Sequence, residues 1–291
     1  MSSAAARRLL TRPLWVLEAL IALARDWIAR FIGVQAFDRA MSISAYAYTA
    51  LFPLLIVYAS VLPRADNEDF SEVLIDEFNL TGATAQSVKV AFAPAGEVQS
   101  SVTLLGVFLL LYSALSFSRG MQRLYEAAFG LPTLGMRNTP RGLLWLAFLV
   151  ALAALRPLIM NPLDGVPRVV ATLALAVATW LVTPYLLLGR RVSWRRLLPA
   201  ALLTAAGMAG VGVWSVLWMP HAFAASAQQF GIAGIGFALM SWLFAAAVVI
   251  VVATAGGAVI ADRLIGRADG ADAQVAGVAV ATSGAGSAPS A

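Results

Sequence analysis

Six mostly apolar runs, at about 41–62, 102–118, 142–160, 169–188, 197–218 and 232–261, leave this chain little choice of solvent. Each approaches the roughly 20 residues that a helix needs to cross a hydrocarbon core. Inside a bilayer every backbone N–H and C=O must be satisfied within the protein, which makes such runs helices. Composition agrees. Hydrophobic residues make up 60% and charged residues 12%, against roughly 25% charged in a soluble domain. The fold class expected is all-α, a polytopic integral membrane protein with six transmembrane helices. The third run is the weakest, because Arg156 and Pro157 interrupt it. The sixth is long enough that it must tilt, or begin in the interface at the flexible Gly231–Gly236 segment.

The connections carry a second signal. Of the 20 basic residues, 19 are arginine and one is Lys89. The N-terminal segment, the second and fourth connections and the tail hold 6+4+4+2 = 16 of them. The first, third and fifth connections hold 2+2+0 = 4. The positive-inside rule assigns the richer set to the cytoplasm, which puts both termini there. A missed or extra span would scramble the alternation. The same placement explains the net charge of +5 without nucleic acid as a partner.

Three units follow: a cytoplasmic N-terminal segment, 1–40; a six-helix transmembrane unit, 41–262; and a disordered cytoplasmic tail, 263–291, rich in Ala, Gly and Ser. Residues 14–33 are apolar but not counted as a span. Leu17, Ile21, Ala24, Ile28, Phe31 and Ile32 keep helical spacing, while Glu18, Arg25, Asp26 and Arg30 lie on another side. That pattern suits an amphipathic helix lying in the interface. In the first outer loop, 63–101, Phe70, Val73, Leu74 and Phe78 share one helix face and Glu68, Asp69, Glu72 and Asp76 another. This acidic helix is a candidate outer partner surface, although a solvated face explains it equally.

Chemistry-bearing groups are few. Cysteine is absent, and His221 is the single histidine. No metal site or cofactor is expected, and no catalytic residue. The central parts of the six runs carry no Asp, Glu, Lys or Arg, which argues against a proton-coupled carrier of small polar solutes. Two polar stripes stand out. In the first run Ser42, Tyr46, Thr49 and Pro53 lie close to one line. After the second, Ser113, Ser116, Arg119 and Arg123 form another. They suit either a polar path, with the two arginines able to meet a lipid phosphate, or ordinary packing, which is the commoner use of such residues. In the packing account the hydroxyls are satisfied and the arginines set topology. Glu126, three residues after Arg123, is positioned to neutralise it.

These segments also carry a resemblance. Ala45-Tyr46-x-x-x-x-Leu51-Phe52-Pro53-Leu54-Leu55 and Gln122-Arg123-Leu124-Tyr125-Glu126-x-x-Phe129-Gly130 resemble signatures of the YihY/BrkB family of bacterial inner-membrane proteins. Gly231-x-x-Gly234-x-Gly236, leading to Trp242 and Gly256-Gly257, is similar to that family's last helix. Ala50 departs from the family's usual Ser, and Glu126 from a frequent Asn. The resemblance implies a non-enzymatic role in envelope integrity, by transport of a lipid or other amphiphile. A structural scaffold that binds an envelope partner through the outer acidic loop is the alternative. An old ribonuclease label on that family finds no support here. Seven of the 15 acidic residues lie in the outer loop, and the rest are scattered. The expected partners are membrane lipids, and small residues such as Ala206 and Gly210 also suit a homo-oligomer.

Overall fold

The computed structural model describes residues 3–61, 70–77, 80–91 and 100–284, and no strand occurs among them. The helices are α1 (Ser3–Gly33), α2 (Ala36–Val61), α3 (Phe70–Glu77), α4 (Gly82–Ala91), α5 (Ser100–Ala128), α6 (Thr139–Met160), α7 (Gly165–Leu187), α8 (Trp194–Phe230) and α9 (Ile232–Gly284). A short 3-10 helix, Gly135–Asn138, leads into α6. Among the described residues five stretches are long and apolar enough to cross a membrane: Leu104–Ala128, Gly135–Met160, Gly165–Leu187, Trp194–Phe230 and Ala233–Leu264. α2 coincides with the first apolar run, and its side chains from 52 onward lie outside those described.

The molecule is inside-out relative to a soluble domain. Leu104, Phe108, Val150, Leu158, Val166, Val213 and Leu217 are all exposed, and only 11% of the α6 and α7 spans is buried. Such outward faces match hydrocarbon. The buried residues gather in two clusters. One, near what we call the arginine-rich end, contains Met121, Leu124, Tyr125, Leu187, Leu188, Leu197 and Val251. The other joins Leu80 and Val88 to Met219, Phe223, Ile235 and Leu239.

The second cluster explains why α8 outruns the expected 197–218. α8 continues through Pro220 to Phe230, because Met219 and Phe223 are fully buried against the α3–α4 region and α9. At 37 residues it is about 55 Å long, more than the roughly 30 Å hydrocarbon core. It stops at Gly231, whose φ of 59° only glycine adopts readily, and α9 begins at once. α6 runs through Arg156 and Pro157 to Met160. Pro157 has no N–H to donate to the carbonyl four residues back, yet the helix continues through it.

Two expectations change in extent. α5 covers 100–128 rather than 102–118, because its last turns are buried at Met121, Leu124, Tyr125 and Ala128. The tail expected to be disordered from 263 continues α9 as helix to Gly284. Its alanines favour helix even without an apolar face. Residues 285–291 lie outside the described part.

At the arginine-rich end, four segments far apart in sequence meet. Asp262 on α9 accepts from Arg30 of α1 at 2.7 Å and from Arg196 of α8 at 2.6 Å. Arg30 also donates to the Ala128 carbonyl at the end of α5, at 2.5 Å. Asp26 of α1 pairs with Arg263 of α9. That hydrogen bond holds the Asp26 carboxyl below its ordinary range, with desolvation pulling the other way. Trp27 donates to the Val252 carbonyl at 3.0 Å, over a Gly256 whose missing Cβ would lie 2.5 Å from the indole. The segments assigned to one side by their arginines thus touch one another.

Candidate functional site

Between the start of α2 and the last turns of α5 lies a cavity of about 370 Å3, lined by Gln35, Asp38, Arg39, Ser42, Ile43, Tyr46, Gly120 and Arg123. Its geometry begins at a sharp turn. α1 ends at Gly33, and Gln35 takes φ 51°, a left-handed conformation costly for a residue with a Cβ. The turn carries the chain into α2, which then lies against α5. Gly120 permits the close approach: a Cβ there would lie 3.2 Å from the Tyr46 ring and 3.6 Å from Ile43. Arg123 reaches across and donates to the Tyr46 hydroxyl at 3.4 Å. Arg39 is half-buried and donates from Nε to the Val34 carbonyl at 2.5 Å. Burial, reinforced by the charge of Arg123, pushes the Arg39 pKa down. Among the described residues neither guanidinium is held in an ion pair.

The two polar stripes are divided by this geometry. Ser42, Tyr46 and Arg123 come together at the cavity. Thr49 and Ser116 do not; each donates to the carbonyl one turn back, Ala45 and Tyr112, at 2.8 Å. Ser42 also bonds back, to the Asp38 carbonyl, at 2.9 Å. Self-satisfied hydroxyls of this kind are the packing account of the stripe. Ser113 is buried within the bundle. Arg119 turns away from α2 and reaches Thr139 of α6 at 3.5 Å. Pro53 lies within α2, and its side chain lies outside those described. Arg39, Gln35, Asp38 and Gly120 are cavity residues that sequence reading missed. By sequence Arg39 is one of the six basic residues of the N-terminal segment, with nothing to set it apart.

Beside the cavity sits a buried polar network. Glu126, with its side chain 1% exposed, accepts on Oε1 from Gln122 at 2.8 Å, the Leu134 amide at 2.9 Å and Arg191 at 3.1 Å. Its Oε2 is buried with no partner among the described residues. Asn138 donates to Gln122 at 3.0 Å and to the Leu187 carbonyl at 2.7 Å. Arg191 also donates to the Pro132 and Leu188 carbonyls. These bonds satisfy carbonyls that the end of α7 leaves open and tie the last turns of α5 to the α5–α6 and α7–α8 connections. The expected pairing of Glu126 with Arg123 is therefore corrected: Glu126 points away from the cavity, to Arg191.

At the opposite end, α3 is a helix as expected. Glu72 pairs with Lys89 of α4 at 3.3 Å, and Asp76 is exposed. Glu68 and Asp69 lie outside the described residues. His221 is exposed, with Nδ1 3.1 Å from the Leu217 carbonyl oxygen. Among the described residues no three His, Asp or Glu side chains gather as a metal site would require.

A family model described as Virulence factor BrkB matches residues 27–277. No curated protein matches the chain. No solved structure matches it either.

Proposed function

This chain belongs to the Virulence factor BrkB family, and from that premise we propose that it transports a lipid or other amphiphile and so supports the integrity of a bacterial envelope. It is a multi-pass membrane protein. We read α2 as its sixth span, with α1 lying in the inner interface and both termini in the cytoplasm. The observation that carries the transport reading is the polar cavity between α2 and α5. It sits at the arginine-rich end, where headgroups of the inner leaflet would meet it, beside apolar helix faces that acyl chains would cover. A carrier of amphiphiles needs no charged groups at mid-membrane, since the tails stay in lipid while the head follows a polar surface. Nothing in this role calls for covalent chemistry.

A scaffold role through the outer acidic helix ranks second, because Lys89 already neutralises Glu72. The test has two parts. The chain lacks cysteine, so single cysteines at Gln86, Gln228 and Arg137 report sidedness cleanly. Gln86 and Gln228 are expected to label from outside and Arg137 from inside. Purified protein in vesicles is then expected to move fluorescent phospholipid between leaflets. The topology fails if Gln86 labels only after the membrane is opened, and the transport reading fails if leaflet asymmetry persists.

A further inference from the structure

The Arg39–Arg123 cavity brings two cations together with little to balance them. Both line the same 370 Å3 space, a volume at the lower end of the roughly 300–1,000 Å3 of ligand pockets. The nearest carboxylates are committed elsewhere or too few. Glu126 binds Arg191 through Oε1, though its charge also acts on Arg39, and Asp262 binds Arg30 and Arg196. Asp38 is the one carboxylate among the lining residues, so the lining carries a net charge of +1 from two arginines and one aspartate. Hydroxyls are also present, from Tyr46 and Ser42, and Gln35 adds an amide. Guanidinium forks and hydroxyls are the groups that recognise phosphate oxygens.

The surroundings indicate what is attached to the phosphate. Phe37 and Met41 stand in sequence next to Asp38 and Ser42, and are 61% and 50% exposed. Phe37 meets the Phe244 ring of α9 edge-on at 5.3 Å, and neither Phe37 nor Met41 lines the cavity; half-exposed apolar side chains on the same turns of α2 suit acyl chains that remain outside it. Mutual repulsion also favours an anion: the Arg39 pKa is lowered by burial and then by Arg123, against a smaller opposing effect of Glu126, and a phosphate between the two arginines offsets their repulsion.

We propose that the α2–α5 cavity binds the phosphate of an anionic phospholipid, with Arg39 and Arg123 as its two cationic contacts and the Tyr46 hydroxyl as a third. The inference rests on the lipid-handling role and adds the class of headgroup: net-negative phosphodiesters over zwitterionic ones. Asp38 makes the preference measurable, since it offers a zwitterion's amine a partner that the cavity's net charge must outweigh.

Full-length protein in detergent is titrated with phosphatidylglycerol and with phosphatidylcholine, and retained lipid is measured by native mass spectrometry. Phosphatidylglycerol is expected to bind and phosphatidylcholine to be retained far less. R123Q, at an exposed side chain, and R39Q are each expected to weaken phosphatidylglycerol binding about tenfold or more. R195Q, an exposed arginine on α8, is expected to leave binding unchanged. R123K keeps the charge and is expected to retain part of the affinity, which separates loss of the contact from loss of the fold. Competition by glycerol phosphate would identify the headgroup alone as the ligand; its absence would make the lipid the ligand. Equal retention of the two lipids, or R39Q and R123Q indistinguishable from R195Q, overturns the proposal. Vesicle transport keeps the two readings apart. Specific binding without leaflet movement sinks the transport role and leaves the site. Indiscriminate movement insensitive to both arginines sinks the site and leaves the role.

Discussion

Gly257→Ala is the sharpest test of how α8 and α9 are held together. Gly257 is buried on α9 against Ala200 of α8, itself 2% exposed. A Cβ at 257 would lie 2.2 Å from the Ala200 Cα, 2.4 Å from its amide nitrogen and 2.6 Å from its Cβ. Carbon atoms rest at about 3.5–4.0 Å, so the two backbones would have to separate by more than about 1 Å. No rotamer change relieves this, because the obstructing atoms belong to a helix backbone. Close small-residue contacts are how membrane helices gain packing energy, and overpacking costs about 1–3 kcal/mol. With backbone in the way, the upper part of that range applies. For a chain of this size each kcal/mol corresponds to roughly 2–4 °C, so with about 2–3 kcal/mol lost the melting temperature of the detergent-solubilised protein is expected to fall by about 4–12 °C. Intrinsic fluorescence follows the transition, given eight tryptophans. Gly210→Ala is the control: nothing lies within 4 Å of its Cβ position, and alanine is the better helix former. If Gly257→Ala melts with wild type and Gly210→Ala, the reasoning about this interface is refuted.

Two further outcomes follow from the ion pairs. Glu126→Ala removes an acceptor shared by Gln122, Leu134 and Arg191 and is expected to cost about 3–5 kcal/mol in thermal or denaturant unfolding. Glu126→Gln keeps the shape and is expected to cost about 1–3 kcal/mol; equal effects would mean that the Arg191 pairing is idle. Asp26 has a folded pKa below its ordinary 3.8, so its contribution is complete above that value and lost as pH falls through the lower folded one. The melting difference between wild type and Asp26→Asn is expected to hold above pH 3.8 and to vanish once pH falls below the lowered folded value. A difference that ignores pH would show that the Arg263 contact contributes nothing.

Much of the fold was legible because it is a solvation problem. Apolar run length marks α5 to α9, and the arginine alternation anticipates that Arg30, Arg196 and Asp262 share one end. Their pairing was not legible. Residues 30 and 262 are brought together by the whole bundle, and no local periodicity records that. Helix ends were harder still: α8 continues past 218 because α4 covers Met219 and Phe223, a partner that hydropathy does not see. The polar stripe after the second run divides for a geometric reason. Arg119 and Arg123 are four residues apart, which on a 3.6-residue turn rotates one about 40° from the other. On a helix wedged between α2 and α6, that rotation is enough to send Arg119 to Thr139 and Arg123 to Tyr46.

Arg39 shows what charge counting omits. Every arginine of the richer set serves topology equally, so a sum over connections treats Arg39, Arg30 and Arg191 alike. What distinguishes them is the group opposite. Asp26, Glu126 and Asp262 face Arg263, Arg191, and Arg30 with Arg196. Those carboxylates are absorbed in tying connections and helix ends together, and the same fold that assigns them there leaves Arg39 and Arg123 facing each other across a cavity. An excess of arginine that only oriented the chain could sit in water at any loop. Two of them line one open cavity, Arg39 half-buried beside a strained Gln35 and Arg123 exposed, with Asp38 as the carboxylate among them; the proposed phosphate would offset the charge that remains.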